Sequence, residues 1–172
     1  IVLHADFTHG PEYLPEIVKR LESGADLVVG QATVTGEPSR AARLVRKYAR
    51  WLLRGVQVSG VKDIVSGYGA FRLFCLKNAL REQEGPLLTS EGWAANAELI
   101  GRVARHARRI DTVDVLERHD LRQRPSRIEP WPLARELWRE GGRLRIRGTR
   151  PTDSRAGAAS RAEDPDMEEA SK

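Results

Sequence analysis

The chain has 172 residues, 40% of them hydrophobic, and carries 29 Lys and Arg against 24 Asp and Glu, a formal net charge of +5. That length and apolar content suit one domain with its own core. A single cysteine excludes an intrachain disulfide framework and a cysteine-based zinc site, and no stretch approaches the ~18 consecutive apolar residues of a transmembrane helix.

The basic balance suits anionic lipid, phosphorylated ligands or nucleic acid. Aromatic residues make up 6% and do not interleave with the arginines as base stacking requires, so nucleic acid ranks last and is not expected as a partner. The first residue is Ile rather than Met, and Ile1–Leu3 is too short for the apolar core of a leader. The chain therefore reads as a fragment in a cytoplasmic setting. Cys75, within the run Phe71–Leu76, reads as a small buried hydrophobe.

In chain order, Ile1–His4 reads as the end of a buried strand. Pro11 and Glu12 suit the first turn of a helix that continues through Tyr13, Leu14, Ile17, Val18 and Leu21, and Gly24 supplies a left-handed stop. Asp26–Gln31 is a short apolar strand of the kind parallel sheets bury. A loop follows to Pro38. Ser39 caps a helix to about Arg54, with Leu44, Val45, Tyr48, Trp51 and Leu52 as its apolar side and Arg43, Arg46, Lys47, Arg50 and Arg54 opposite.

The segment 61–69 is irregular, Ala70–Phe74 is a strand, and Leu76–Gln83 a short helix. Glu91–His106 is a longer helix with Trp93, Ala97, Ile100, Val103 and Ala104 inward, which turns Glu98 toward solvent or a polar cleft. Arg109–Val115 alternates as a strand. Pro130–Glu140 is amphipathic; its Trp131 and Trp138 lie either on anionic lipid or against the domain. Residues 148–172 lack apolar residues that repay ordering and read as a disordered tail behind a domain of 1–147. The alternation β-α-β-α-β-α-α-β predicts an α/β layered fold.

Several short motifs carry chemistry. His4-Ala-Asp6 closes a strand, where open α/β sheets hold ligands. Asp6 either ligates a divalent cation or caps the next turn, and His4 either joins it, suiting Mn²⁺ better than Mg²⁺, or packs at the strand end. Arg46 and Arg50 are one helical turn apart, a spacing that clasps a phosphate or simply solvates a basic face. Asp63 and Ser66 either meet a substrate or satisfy backbone amides in a turn. Arg122, Arg124, Ser126 and Arg127 form a basic segment whose guanidinium groups suit phosphate oxygens, or else an exposed basic loop or a nucleic-acid patch. His9, His106 and His119 show no ligand spacing.

Taken in order, these segments resemble family 2 glycosyltransferases, close to the polyprenyl-phosphate sugar transferases. His4-Ala-Asp6 is similar to the family's Asp-x-Asp; Gly24–Gly30 to the strand after it; Arg46 to the arginine of Arg-x-x-x-Ser, with Arg50 at the serine. Val61–Gly67 resembles Asp-x-x-Ser-Gly, Glu98-Leu99 a Glu-Leu helix, and Arg122–Arg127 the Arg-x-x-Gly-x-Ser-Lys loop, with Arg124 at the glycine. Ala32 stands where an arginine is common.

The resemblance implies a GT-A-like fold and transfer of a hexose from a nucleotide sugar to a polyprenyl phosphate, at the inner membrane face by peripheral contact. It implies Mg²⁺ or Mn²⁺ on Asp6 and His4, acceptor phosphate on Arg46 and Arg50, Asp63 as acceptor ligand or base, and donor diphosphate on Arg122, Arg124, Ser126 and Arg127. The family places strands for the nucleotide base upstream of this segment, so the chain reads as the C-terminal part of a domain, and the isolated 172 residues are expected to be inactive. The departures at positions 4, 32 and 50 leave a catalytically degenerate binding protein as the alternative.

Overall fold

The computed structural model describes residues 1–3, 10–35, 40–118 and 129–147, and all structural statements concern these. A 3-10 turn, Pro11–Tyr13, leads into α1, Leu14–Glu22. The helix ends as its glycine predicts: Gly24 has φ of 103°, and its N–H bonds the Leu21 carbonyl. Next come β1 (Leu27–Thr35), α2 (Arg40–Leu52), β2 (Val56–Gln57) and β3 (Gly69–Phe71). The remainder is α3 (Leu73–Arg81), α4 (Gly92–Ala104), β4 (Ile110–Arg118), α5 (Pro130–Arg143) and β5 (Ile146–Arg147). The tail expected at 148–172 lies outside the described residues.

The fold is α/β, with a mixed sheet in the order β3-β1-β4. β1 runs parallel to β4 from Leu27 opposite Ile110 to Thr35 opposite Arg118, and antiparallel to β3. Val2 bridges Gly69, which sets the first residues beside β3. β2 and β5 make a separate parallel pair.

β1 is apolar because both faces of the sheet are covered. Val28, Ala70, Val113 and Val115 pack with Ile17 of α1 and Tyr68. Leu27 and Val29 lie in the other cluster, with Val45, Ala49 and Leu53, the α4 residues Ala97 and Ile100, and Leu137 of α5. The buried Asp26 carboxylate ties the starts of the two parallel strands together, accepting the N–H groups of Arg108 at 2.8 Å and Arg109 at 3.3 Å.

The structure departs from the expected elements in several places, four of which bear on the packing. β1 continues to Thr35, because its last residues find partners in Val115–Arg118. β3 ends at Phe71 and α3 starts at Leu73: the Arg72 N–H is taken by the Asp26 carbonyl, and Cys75 turns into the core. α2 is rotated about its axis, so that Val45, Ala49 and Leu53 are buried while Leu44, Tyr48 and Trp51 are exposed.

The fourth departure is Glu98, which is 0% exposed rather than solvated. It accepts the Thr89 and Ser90 N–H groups at 2.9 and 3.0 Å, the Thr89 hydroxyl at 3.1 Å and the Arg102 guanidinium at 2.5 Å. The segment before α4 folds back over the helix and supplies the Thr89 and Ser90 donors, and Arg102 supplies its own from one turn along α4.

Burial pushes the Glu98 carboxyl pKa up, but the Thr89 N–H, Arg102 and the Ser90 N–H outweigh it and hold the group below its ordinary 4.5. A carboxyl depressed in the folded state stabilises fully above the unfolded value and loses that contribution as pH falls through the folded one. Glu98→Gln is therefore expected to lower the melting temperature at pH 7, with the difference from the parent narrowing in acid below pH 4.5. Thermal scans from pH 7 to pH 3 check this; a difference independent of pH contradicts it.

Two adjacent glycines in α5 give a paired test. A Cβ on Gly141 overlaps the Leu52 carbonyl oxygen and comes within 2.9 Å of the Leu53 Cα, whereas one on Gly142 meets nothing within 4 Å. Gly141→Ala is expected to destabilise by about 2–3 kcal/mol as α5 is pushed off α2. Gly142→Ala is expected to be neutral or stabilising by up to about 1 kcal/mol through helix propensity. Urea titration of the two variants separates these outcomes.

Candidate functional site

Between α2 and the segment 58–68 lies an open cleft of about 340 Å³, floored by the later half of β1 and by β4. Gln31 and Ala32 contribute from β1 and Asp114, opposite Gln31, from β4. Arg43, Arg46 and Lys47 line it from α2, and Lys62 and Asp63 from the connecting segment. It thus sits toward the carboxyl ends of two parallel strands, where open α/β sheets bind ligands.

The segment 58–68 has no regular structure, yet it is well anchored. Val58, Val61, Ile64 and Val65 are buried, the Asn96 side chain donates to the Val65 carbonyl at 3.1 Å, and the Gln31 amide reaches the Gly60 carbonyl at 3.4 Å. Gly60 turns the chain with φ of 81°, a region that favours glycine. Ser66 stays within the segment, its hydroxyl accepting the Tyr68 N–H at 3.2 Å.

Arg46 organises the cleft wall. Its side chain is 11% exposed. One terminal nitrogen donates to Asp63 Oδ2 at 2.8 Å and the other to Glu117 Oε2, while the guanidinium stacks over Trp93 at 5.6 Å from the ring centre. Asp63 Oδ1 also accepts the Val65 N–H at 3.3 Å. Burial disfavours the charged guanidinium, but the two carboxylates overcome this and raise its pKa. The guanidinium lies between two carboxylates, so Arg46 enters the site already paired.

Asp63 thus serves the turn and an ion pair at once. Arg50, one turn along α2, is exposed, so the two arginines that share a helical side in the sequence face different surroundings. His4, Asp6, Arg122, Arg124, Ser126 and Arg127 lie outside the described residues. Among the described residues no group of three His, Cys, Asp or Glu side chains is arranged to hold a metal ion, and Asp63 of the cleft, like Glu117 behind it, bonds Arg46.

Sequence reasoning missed Glu117, Asp114 and Trp93 as members of the site. Glu117 left a signal: it continues the alternation Val113, Val115 at an inward position, where an acid needs a partner. Trp93 left none, because a tryptophan on an apolar helix stripe reads as core.

Removing the guanidinium takes an ion-pair partner from two nearly buried carboxylates. Arg46→Ala is expected to cost about 3–5 kcal/mol. Arg46→Lys recovers only part of this, because an ammonium lacks the planar fork that bonds in two directions. Chemical denaturation of both variants tests the claim; an Arg46→Ala protein within about 0.5 kcal/mol of the parent refutes it.

No protein-family model matches the chain. One curated relative is the polyprenol monophosphomannose synthase of Mycolicibacterium smegmatis, 24% identical over 164 residues, a match that takes in 84% of this chain and 59% of the relative. The chain thus spans less than two thirds of that relative's length. The likeness is distant, and it supports a glycosyltransferase in general terms.

Proposed function

We propose that this chain is part of a family 2 glycosyltransferase with a GT-A-like fold, which moves a hexose from a nucleotide sugar to a polyprenyl phosphate at the inner membrane face. The observation that carries this reading is the cleft toward the carboxyl ends of β1 and β4, with Lys47 and Lys62 on its walls. The distant likeness to a polyprenol monophosphomannose synthase supports it.

The acceptor phosphate is already an anion, so its oxygen attacks the anomeric carbon without a base to activate it. Asp63 then acts as a positioning residue, holding Arg46 and the segment 58–68. Lys47 and Lys62, with Arg50 on the outer face of α2, supply the charge that draws the phosphate in. A guanidinium has five N–H donors, and those of Arg46 not used by Asp63 and Glu117 are available to orient a phosphate oxygen. A divalent cation, when bound by Asp6 and His4, supplies Lewis-acid neutralisation of the departing diphosphate. Arg122, Arg124, Ser126 and Arg127 are assigned to the donor diphosphate by the same reading.

A second reading is a degenerate, binding-only relative. The pairing of Arg46 with Asp63 and Glu117 favours it, because the arginine assigned to the acceptor is already engaged.

The test uses protein made from its complete reading frame, incubated with guanosine- or uridine-diphosphate hexoses, polyprenyl phosphate and Mg²⁺ or Mn²⁺. Lipid-linked hexose that disappears with EDTA is expected. Lys47→Ala/Lys62→Ala is expected to raise KM for the acceptor by about tenfold with little change in kcat, as loss of a charge-assisted contact predicts. Lipid binding without turnover establishes the second reading, and neither binding nor turnover overturns both.

A further inference from the structure

α2 contains Arg40, Arg43, Arg46, Lys47 and Arg50, and no acidic residue. Like charges at i,i+3 and i,i+4 destabilise a helix, and cations near its amino end oppose the dipole. Helix stability therefore does not account for this composition. Arg46 is consumed by its two carboxylates; the others face outward beside an apolar stripe of Leu44, Tyr48 and Trp51, the last 67% exposed.

α5 continues this surface. Its Leu133 and Leu137 pack inward, whereas Trp131 and Trp138 are 78% and 53% exposed. The helix thus packs against the domain, as one of the two alternatives posed by the sequence has it, and leaves both tryptophans on its outer side. Gly141 lets α5 lie directly against Leu52 and Leu53 of α2, and the Arg54 guanidinium sits 5.8 Å from the Trp138 ring centre. The exposed aromatics of the two helices thus share one side of the molecule. Beside Trp138, Arg54 and Arg145 line an open notch whose third arginine, Arg105, is held by Glu82 at 2.6 Å.

We propose that this face, formed by α2 and α5, docks on an anionic phospholipid bilayer. Tryptophan and tyrosine rings suit the headgroup boundary, where one end is apolar and the other wet. The surrounding cations match the negative surface potential of the cytoplasmic leaflet. A protein partner fits less well, because α2 offers cations and exposed aromatics with no acid among them, which suits a continuous sheet of anions. The acids of α5 are the partly covered Glu136 and the buried Glu140, which pairs with Arg139 and Arg143. Arg43 and Lys47 belong both to this side of α2 and to the cleft, so a docked molecule presents its cleft at the membrane surface. That last point rests on the proposed acceptor; the docking does not.

The experiment is sedimentation of the full chain with vesicles free of polyprenyl phosphate and sugar donor, either purely phosphatidylcholine or with about one third phosphatidylglycerol. Partitioning is expected to rise about tenfold or more with the anionic lipid and to fall back in 0.5 M salt. Tryptophan emission is expected to shift to the blue and to be quenched by brominated acyl chains.

Trp51→Ser/Trp138→Ser is expected to keep the parent melting temperature and to lose at least about fivefold in partitioning, and Arg54→Glu/Arg145→Glu to lose the preference for anionic lipid. The proposal is overturned if the parent ignores both vesicle types at low salt, if the tryptophan variant binds like the parent, or if the tryptophans instead mediate self-association in solution. Because neither substrate is present, failure here leaves the transfer reading standing, and failed transfer leaves the docking standing.

Discussion

The Arg46 guanidinium, held between Asp63 and Glu117 and stacked on Trp93, is the interaction on which the described cleft depends. A charge with so little access to water survives only if each partner is in place. Four elements are therefore registered against one another at a single point: α2, the segment 58–68, β4 and α4. The pairing also constrains the rotation of α2. With Val45, Ala49 and Leu53 in the core and Arg46 turned to the carboxylates, Leu44, Tyr48 and Trp51 remain outside. The shape of the cleft and the character of the outer face share this cause.

The scaffold beneath the cleft rests on close backbone approach. β1 and β4 pair along nine positions, and the Asp26 carboxylate joins their starting ends. A Cβ on Gly30 comes within 2.9 Å of the Tyr68 ring and 3.0 Å of its carbonyl oxygen, so glycine lets the end of the irregular segment lie against the sheet. The Gly30 N–H closes the contact on that same carbonyl at 2.8 Å. Gly141 plays the equivalent part between α2 and α5. These approaches give a segment without regular structure enough burial to hold Asp63 in one place.

The phosphate acceptor we propose has an electrostatic rationale. Arg46 is already paired with Asp63 and Glu117, while Lys47 and Lys62 line the cleft beside it. In that reading a phosphate meets the two lysines first and takes from Arg46 only hydrogen bonds the carboxylates leave unused. The proposed transfer needs orientation more than proton removal, which accords with Asp63 being committed to a guanidinium.

The sequence by itself determined the α/β alternation, the helix stop at Gly24, the buried character of β1 and the two-sidedness of α2 and α5. These follow from local periodicity and from backbone restrictions on glycine and proline, which act over a few residues. It also singled out Arg46 and Asp63 by resemblance to a family, without indicating that they bond to each other. Only the tertiary structure decided that pairing, the part of Glu117, the burial of Glu98 and which side of α2 meets the core. Each joins residues of separate segments, such as Arg46 and Glu117 or Glu98 and the stretch before α4, or turns on a rotation that local pattern leaves open. A carboxylate in an amphipathic pattern reads as solvated until the donors that surround it are brought from elsewhere in the chain, and those donors are a property of the packed molecule.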